Sequence, residues 1–196
     1  MTTPRELIED LESVGIKIQD LSDLVNMKGT YPAAIPVLLD WLAKIETVPA
    51  QDRGKLREML VRSLSVPKAR GVAGPQLVDE FRQVEDPTGL GARWVIANAL
   101  SVVADESIFD DLVELASDPS YGRGREMLML AIAQTKDARA VQALVRMLDD
   151  NDLSGHAIAA LGKLRAREAR PEIERFLAHP EPWVRTEAKR ALARMP

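Results

Sequence analysis

The chain has 196 residues, 46% of them apolar and 29% charged, enough to bury one continuous core and leaving little composition for long disorder. Its 26 basic and 30 acidic side chains give a net charge of −4, and an anionic molecule is drawn to DNA phosphate or anionic lipid only where its charge is strongly segregated. With no cysteine, disulfides, thiolate nucleophiles and cysteine-held zinc are excluded.

Segregation is modest. Residues 1–50 hold 8 acidic and 4 basic side chains and residues 161–196 hold 5 acidic and 9 basic, which is a gradient toward a positive end and not a polybasic tract. The opening stretch "MTTPRELIEDLESVG" carries acids where a secretion signal needs a basic head. No stretch reaches the roughly 18 apolar residues of a membrane span, so the expected location is cytoplasmic. Residues 1–30 read as an N-terminal capping helix pair.

From residue 31 onward apolar residues recur at three- and four-residue spacing. Ile35, Leu38, Leu39, Leu42 and Ile45 form one such stripe, and Val141, Leu144, Val145 and Leu148 another. That is the helical period, and alternating strand patterns are nearly absent, so the chain is expected to be all-α. Pro and Gly punctuate the helices in "KGTYP", "TVPAQDRG", "VPKARGVAGP", "EDPTGLG", "SDPSYGRG", "DDNDLSG", "REARP" and "AHPEP". Trp41 stands at a position equivalent to Met147 and Phe176 and is expected in the core.

The helices repeat. Aligning "NALSVV", "AIAQT", "AALGKL" and "RALARM" superimposes Leu100, Ile132, Leu161 and Leu192 at separations of 32, 29 and 31 residues. Each is followed by a small residue, Ser101, Ala133, Gly162 or Ala193. In the preceding helices Leu112, Leu144 and Ile173 lie 32 and 29 apart. Two helices per unit thus share an interval near thirty, with looser copies at "AIPVLLDWL" and "GPQLVDEF".

A helix such as "AVQALVRMLDD", a short turn, a second helix containing "AIAALGKL" and a link such as "RAREARPEI" resemble the HEAT-like repeat first associated with phycobilisome lyase subunits. The resemblance covers residues 31–196, most strongly 105–196. It implies a right-handed α-α superhelix, a solenoid of about five helix pairs behind the cap, forming one continuous domain. The second helices, expected at 54–66, 90–104, 123–135, 154–165 and 183–195, would line its concave side. In such arrays an Asp in the turn and an Arg in the second helix hydrogen-bond across adjacent repeats. Asp86 to Arg93, Asp118 to Arg125 and Glu46 to Arg53 share a seven-residue spacing suited to that ladder. The last two units depart from it, with His156 six residues after Asp150 and Arg185 six after His179.

The chemical motifs resolve into structure. "GLGARW" and "GRGREM" lack a third glycine, a Walker lysine and a preceding strand, so they are not nucleotide loops. Asp150, Asp152, Ser154 and Gly155 match the start of a calcium loop, but the twelfth position is Leu161 where a bidentate Glu belongs; Asp152 or Ser154 is expected to cap a helix instead. His156 and His179 lack any HExxH or His-Glu pairing, and Ser154 stands too close to His156 for a nucleophile and its base. Adjacent acids such as Asp79 with Glu80 and Asp110 with Asp111 read as a solvated first-helix surface. No catalytic, metal or cofactor site is expected.

The resemblance therefore implies a non-enzymatic scaffold that binds another protein along its concave face, as a monomer or weak homodimer, with neither nucleic acid nor membrane as partner. Candidate contacts are Arg93, Trp94, Asn98, Tyr121, Arg123, Arg125, Glu126, Trp183 and Arg185. They are the arginines, aromatics and neighbours at the starts of second helices, residue types that anchor interfaces. Alternatives within the same fold are a DNA glycosylase for alkylated bases and a bilin lyase subunit.

Overall fold

The computed structural model describes residues 3–27 and 29–195; Met1, Thr2 and Lys28, which fall in the expected capping pair, and Pro196 lie outside the described residues. Among the described residues all regular structure is helical, with twelve α-helices joined by short turns and no strand. The opening pair is α1 (Arg5–Ser13) and α2 (Leu21–Asn26). Five further pairs follow: α3 (Ala34–Ala43) with α4 (Ala50–Leu64), α5 (Gly74–Gln83) with α6 (Ala92–Val103), α7 (Phe109–Ser117) with α8 (Leu128–Thr135), α9 (Ala140–Arg146) with α10 (Ser154–Leu164), and α11 (Arg170–Glu174) with α12 (Pro182–Ala193). No helix is long and apolar enough to cross a membrane among the described residues.

The N-terminal pair is pinned by polar contacts. Asp20 accepts from the Ser22 amide at 3.0 Å, and Asp23 accepts in return from the Asp20 amide at 3.1 Å, a reciprocal cap on α2. The Thr3 hydroxyl donates to Asp20 at 2.7 Å and accepts from the Leu21 amide at 3.0 Å. Hydrogen bonds from Thr3 and Ser22 hold the Asp20 carboxyl down at about 2. Leu7, Leu11, Leu21 and Leu24 are buried, with α1 packed on α3 and α2 on α4.

Packing between pairs is asymmetric. Each even-numbered helix packs closely on the next, from α2 to α12, whereas α3 with α5, α7 with α9 and α9 with α11 meet sparingly. The odd helices are bridged instead by long side chains. Arg82 reaches Asp111 at 2.7 Å, Arg139 reaches Asp110 at 2.8 Å, and Arg175 reaches Asp149 at 2.6 Å. The odd-helix acids are thus not all free in solvent. Glu80 is 8% exposed and pairs with Arg57 at 2.9 Å; burial raises its carboxyl pKa against the pull of that guanidinium.

The even row closes over apolar side chains. Leu100, Ile132 and Leu161 are fully buried, but Leu192, on the last even helix of the described residues, is only half-buried. Gly162 explains how closely α10 and α12 meet: a Cβ there would lie 2.8 Å from the Ala191 Cα, so the two backbones approach as only glycine permits. Trp41 is half-buried, not sealed in the core, and its indole N–H donates to Asp10 at 2.8 Å. The expected second helix at 123–135 begins at Leu128, because Pro119–Arg125 forms 3-10 turns broken at Gly122, whose φ of 52° is left-handed.

Two stability predictions arise. Gly162→Ala should lower the melting temperature, because a backbone clash costing about 1–3 kcal/mol outweighs the roughly 1 kcal/mol gained in helix propensity; a higher melting temperature would mean these helices do not touch here. Asp20→Ala should cost about 0.5–2 kcal/mol in urea unfolding at pH 7. Since folding depresses the Asp20 pKa from 3.8 to about 2, its contribution is fully present above pH 4. The wild-type advantage should fade as the pH falls toward 2.

Candidate functional site

Four of the five even helices that follow the cap carry, in their first turn or just before it, an arginine turned back onto the segment that precedes them. Arg93 donates to the carbonyls of Phe81 at 3.1 Å, Val84 at 2.7 Å and Asp86 at 3.0 Å. Arg53 donates to the Glu46 carbonyl at 2.7 Å and to its carboxylate, and Arg185 to the carbonyls of His179 at 2.6 Å and Pro180 at 2.7 Å. Arg125 donates to Ala116 at 3.1 Å and Gly122 at 2.9 Å. The last carbonyls of a helix are orphaned acceptors with partial negative charge, so each guanidinium is a C-terminal cap.

This corrects the expected ladder. The guanidinium of Arg93 does not bond the Asp86 carboxylate, which instead accepts from the amides of Gly89, Gly91 and Arg93 at 3.0, 3.0 and 2.9 Å. Burial opposes ionisation there, but these bonds and the Thr88 hydroxyl hold the pKa below the usual carboxylate range. Asp118 caps Ser120 at 2.8 Å. Of these capping arginines only Arg125 makes an ion pair with the following helix pair among the described residues, reaching Asp150 at 2.7 Å. In that fourth pair Ser154 stands where the arginine would be, 1% exposed, its hydroxyl without a partner among the described residues. Asp150, not Asp152 or Ser154, closes the turn before α10, by accepting from the Asp152 amide at 2.9 Å.

The two glycine-rich turns stack on each other. A Cβ on Gly89, at φ 67°, would lie 2.6 Å from the Gly124 nitrogen, so neither turn has room to cradle a phosphate at that contact. Tyr121 fills the same seam, its ring edge-on to Phe81 at 5.3 Å with the Arg93 guanidinium 4.9 Å from its centre. Arg125 and Glu126 are 3% and 5% exposed, with Glu126 held by Arg123 at 2.5 Å.

These capping residues set a common register. Leu60, Leu100, Ile132, Leu161 and Leu192 all lie seven residues after Arg53, Arg93, Arg125, Ser154 and Arg185. In that register three positions per helix face outward at i, i+3, i+7 spacing, one stripe of a helix. On α4 they are Lys55, Glu58 and Arg62; on α6 Val95, Asn98 and Val102; beside and on α8 Met127, Leu130 and Gln134. On α10 they are His156, Ala159 and Lys163; on α12 Glu187, Arg190 and, at its end, Arg194. All are half-buried or exposed. The middle of this face carries no ionised side chain, although 29% of the chain is charged.

Two indoles border the face, in different registers. Trp94 directly follows its capping arginine, whereas Trp183 precedes Arg185 by two residues, so they are not equivalent. Trp94, 36% exposed, and Val25, 39% exposed, line a groove of about 310 Å³ with Arg62, Ser65, Val95 and Asn98. Trp183, 44% exposed, lies over Gly155, where a Cβ would fall 2.0 Å from the ring, and its centre is 5.3 Å from that of His156. His156 Nε2 is 3.9 Å from the buried Glu126 carboxylate, and its Nδ1 is unpartnered among the described residues. Burial lowers the His156 pKa; Glu126 opposes this and Arg123 adds to it.

Of the nine expected contacts, the structure brings Trp94 and Asn98 together at the groove, with Asn98 donating to the Trp94 carbonyl at 2.9 Å, and leaves Arg123, paired with Glu126, and Trp183, over Gly155, outside its lining. Arg93, Arg125 and Arg185 are occupied as caps, and Tyr121 and Glu126 as packing. Val25, Arg62 and Val95 line the groove, and Met127 and Leu130 lie on the outward stripe; none of the five is among the expected contacts. The usable signal was the lack of charge in "LMLAIAQT". No group of acids and histidines among the described residues could hold a metal. No family model, curated protein or solved structure matches the chain.

The His156 contact predicts a pH effect. Folding depresses its pKa below 6.5, so the unfolded state takes up a proton first and stability falls as pH drops below that value. Wild type should lose more melting temperature than His156→Gln between pH 7 and 5; parallel loss would show that the imidazole titrates freely.

Proposed function

We propose that this chain is a HEAT-like α-solenoid that docks another protein along the face formed by its even helices. The observation that carries the reading is the outward stripe itself: Val95, Met127, Leu130 and Ala159 stay partly open to water at an uncharged centre, with charged side chains at both ends. Specific interfaces are depleted of charge at the middle and polar at the rim. The superhelical form is supported by the interval near thirty residues and by close contact along the even row. Rows spaced unequally bend toward the tighter one, which would place this face on the inside.

Rigid helices that hold Trp94 beside a preformed groove limit the ordering cost of association. The caps serve the same end: by tying four of the five helix pairs through backbone carbonyls they orient the outward stripes without entering them. The alkylbase glycosylase reading gains nothing, since the two carboxylates of the face, Glu58 and Glu187, sit at its ends paired with Arg62 at 2.8 Å and Arg190 at 2.6 Å. No observation favours a bilin lyase.

Trp94→Ala and Leu130→Glu should each weaken partner capture, the tryptophan change by about 2 kcal/mol or more if it is an anchor. Gln142→Glu on the opposite row should leave it unchanged, with circular dichroism confirming equal folding. Capture that survives both even-face changes would overturn the proposal.

A further inference from the structure

The charges at the ends of the even face identify the chemistry of what it accepts. Glu58 is paired with Arg62 at 2.8 Å and Glu187 with Arg190 at 2.6 Å. Three cations of the face, Lys55, Lys163 and Arg194, have no ion-pair partner among the described residues, and Lys163 reaches only the Gln134 side-chain oxygen at 3.3 Å. Five cations against two carboxylates make this face positive on a chain whose net charge is −4. On the opposite row Arg82, Arg139 and Arg175 pair with acids of neighbouring helices, and Arg146 there stands exposed. On the even face, unpaired positive charge thus flanks the partly open apolar centre at both ends.

We infer that the docked partner is an acidic protein segment with an apolar middle, its carboxylates meeting the lysines at the two ends and its apolar side chains covering Val95, Met127 and Leu130. The inference rests on the docking reading above and adds the partner's chemistry. Packed helices are about 8–10 Å apart, so the three steps from α4 to α10 separate Lys55 from Lys163 by roughly 25–30 Å. The segment therefore carries its acids in two groups flanking an apolar run of that length. Duplex DNA and anionic bilayers fit less well. They present a continuous field to which the whole anionic chain responds, and the uncharged centre would interrupt a phosphate track. A short segment responds to the local charge.

The test is selection of a random 16-residue peptide display library on the full-length chain, with phosphatidylserine vesicles and duplex DNA as parallel probes. Enriched peptides should carry acids on both sides of an apolar run. Their affinity should fall at least tenfold on the Lys55→Glu, Lys163→Glu double variant, whose two sites are exposed and unpaired, and should weaken in high salt. Neutral or basic peptides that are lost with Leu130→Glu would overturn the acidic assignment while leaving the docking face in place. Absence of enrichment dependent on the even face, or stronger binding of vesicles or DNA, would overturn both.

Discussion

A pair of short helices cannot bury both of its inner surfaces, so every pair in this chain depends on the next for its core. Leu100, Ile132 and Leu161 show the rule in operation, each fully buried between consecutive even helices. Leu192 shows the limit, half-open on the last even helix. At the other end α1 and α2 supply the cover that a preceding pair would give, and the Thr3 and Asp20 hydrogen bonds hold that cover in place. Dependence on neighbours also explains why one glycine matters. At Gly162 the backbones of α10 and α12 close to a distance that leaves no room for a methyl group.

Charge is distributed to serve this packing. The arginines most suited to an interface by type, Arg93, Arg125 and Arg185, are drawn inward by carbonyls that a helix end cannot satisfy alone. Arg125 also holds Asp150, bridging the one junction where Ser154 replaces the cap. On the odd row, acids and arginines pair across gaps that apolar side chains do not fill. The even row is left with an uncharged centre, a groove beside Trp94 and unpaired lysines, and it is from this division between the two rows that the docking proposal comes.

The structure separates two kinds of inference from residue type. Arginine beside tryptophan at a helix start looked like an anchor, yet Arg93 is a cap and Trp94 lines the groove. Trp94 and Trp183 both stand at the starts of even helices, but the capping arginines set them in different registers. The acids Asp79 and Glu80, adjacent in the chain, part company completely: Asp79 lies in solvent, and Glu80 is buried against Arg57. Val95 on α6 and Met127 and Leu130 beside and on α8 pack against the core, yet the neighbouring helices leave them only partly covered.

By itself the amino-acid order determined that the chain is helical, where most helices start and stop, and that they recur at an interval near thirty. All of that follows from local periodicity, Pro and Gly. Tertiary structure alone decided which arginines turn inward, which indole opens to a groove, and which apolar positions remain in water. The physical reason is that the 3.6-residue period sets the angle between side chains on one helix, but not which sector of that helix its neighbours cover.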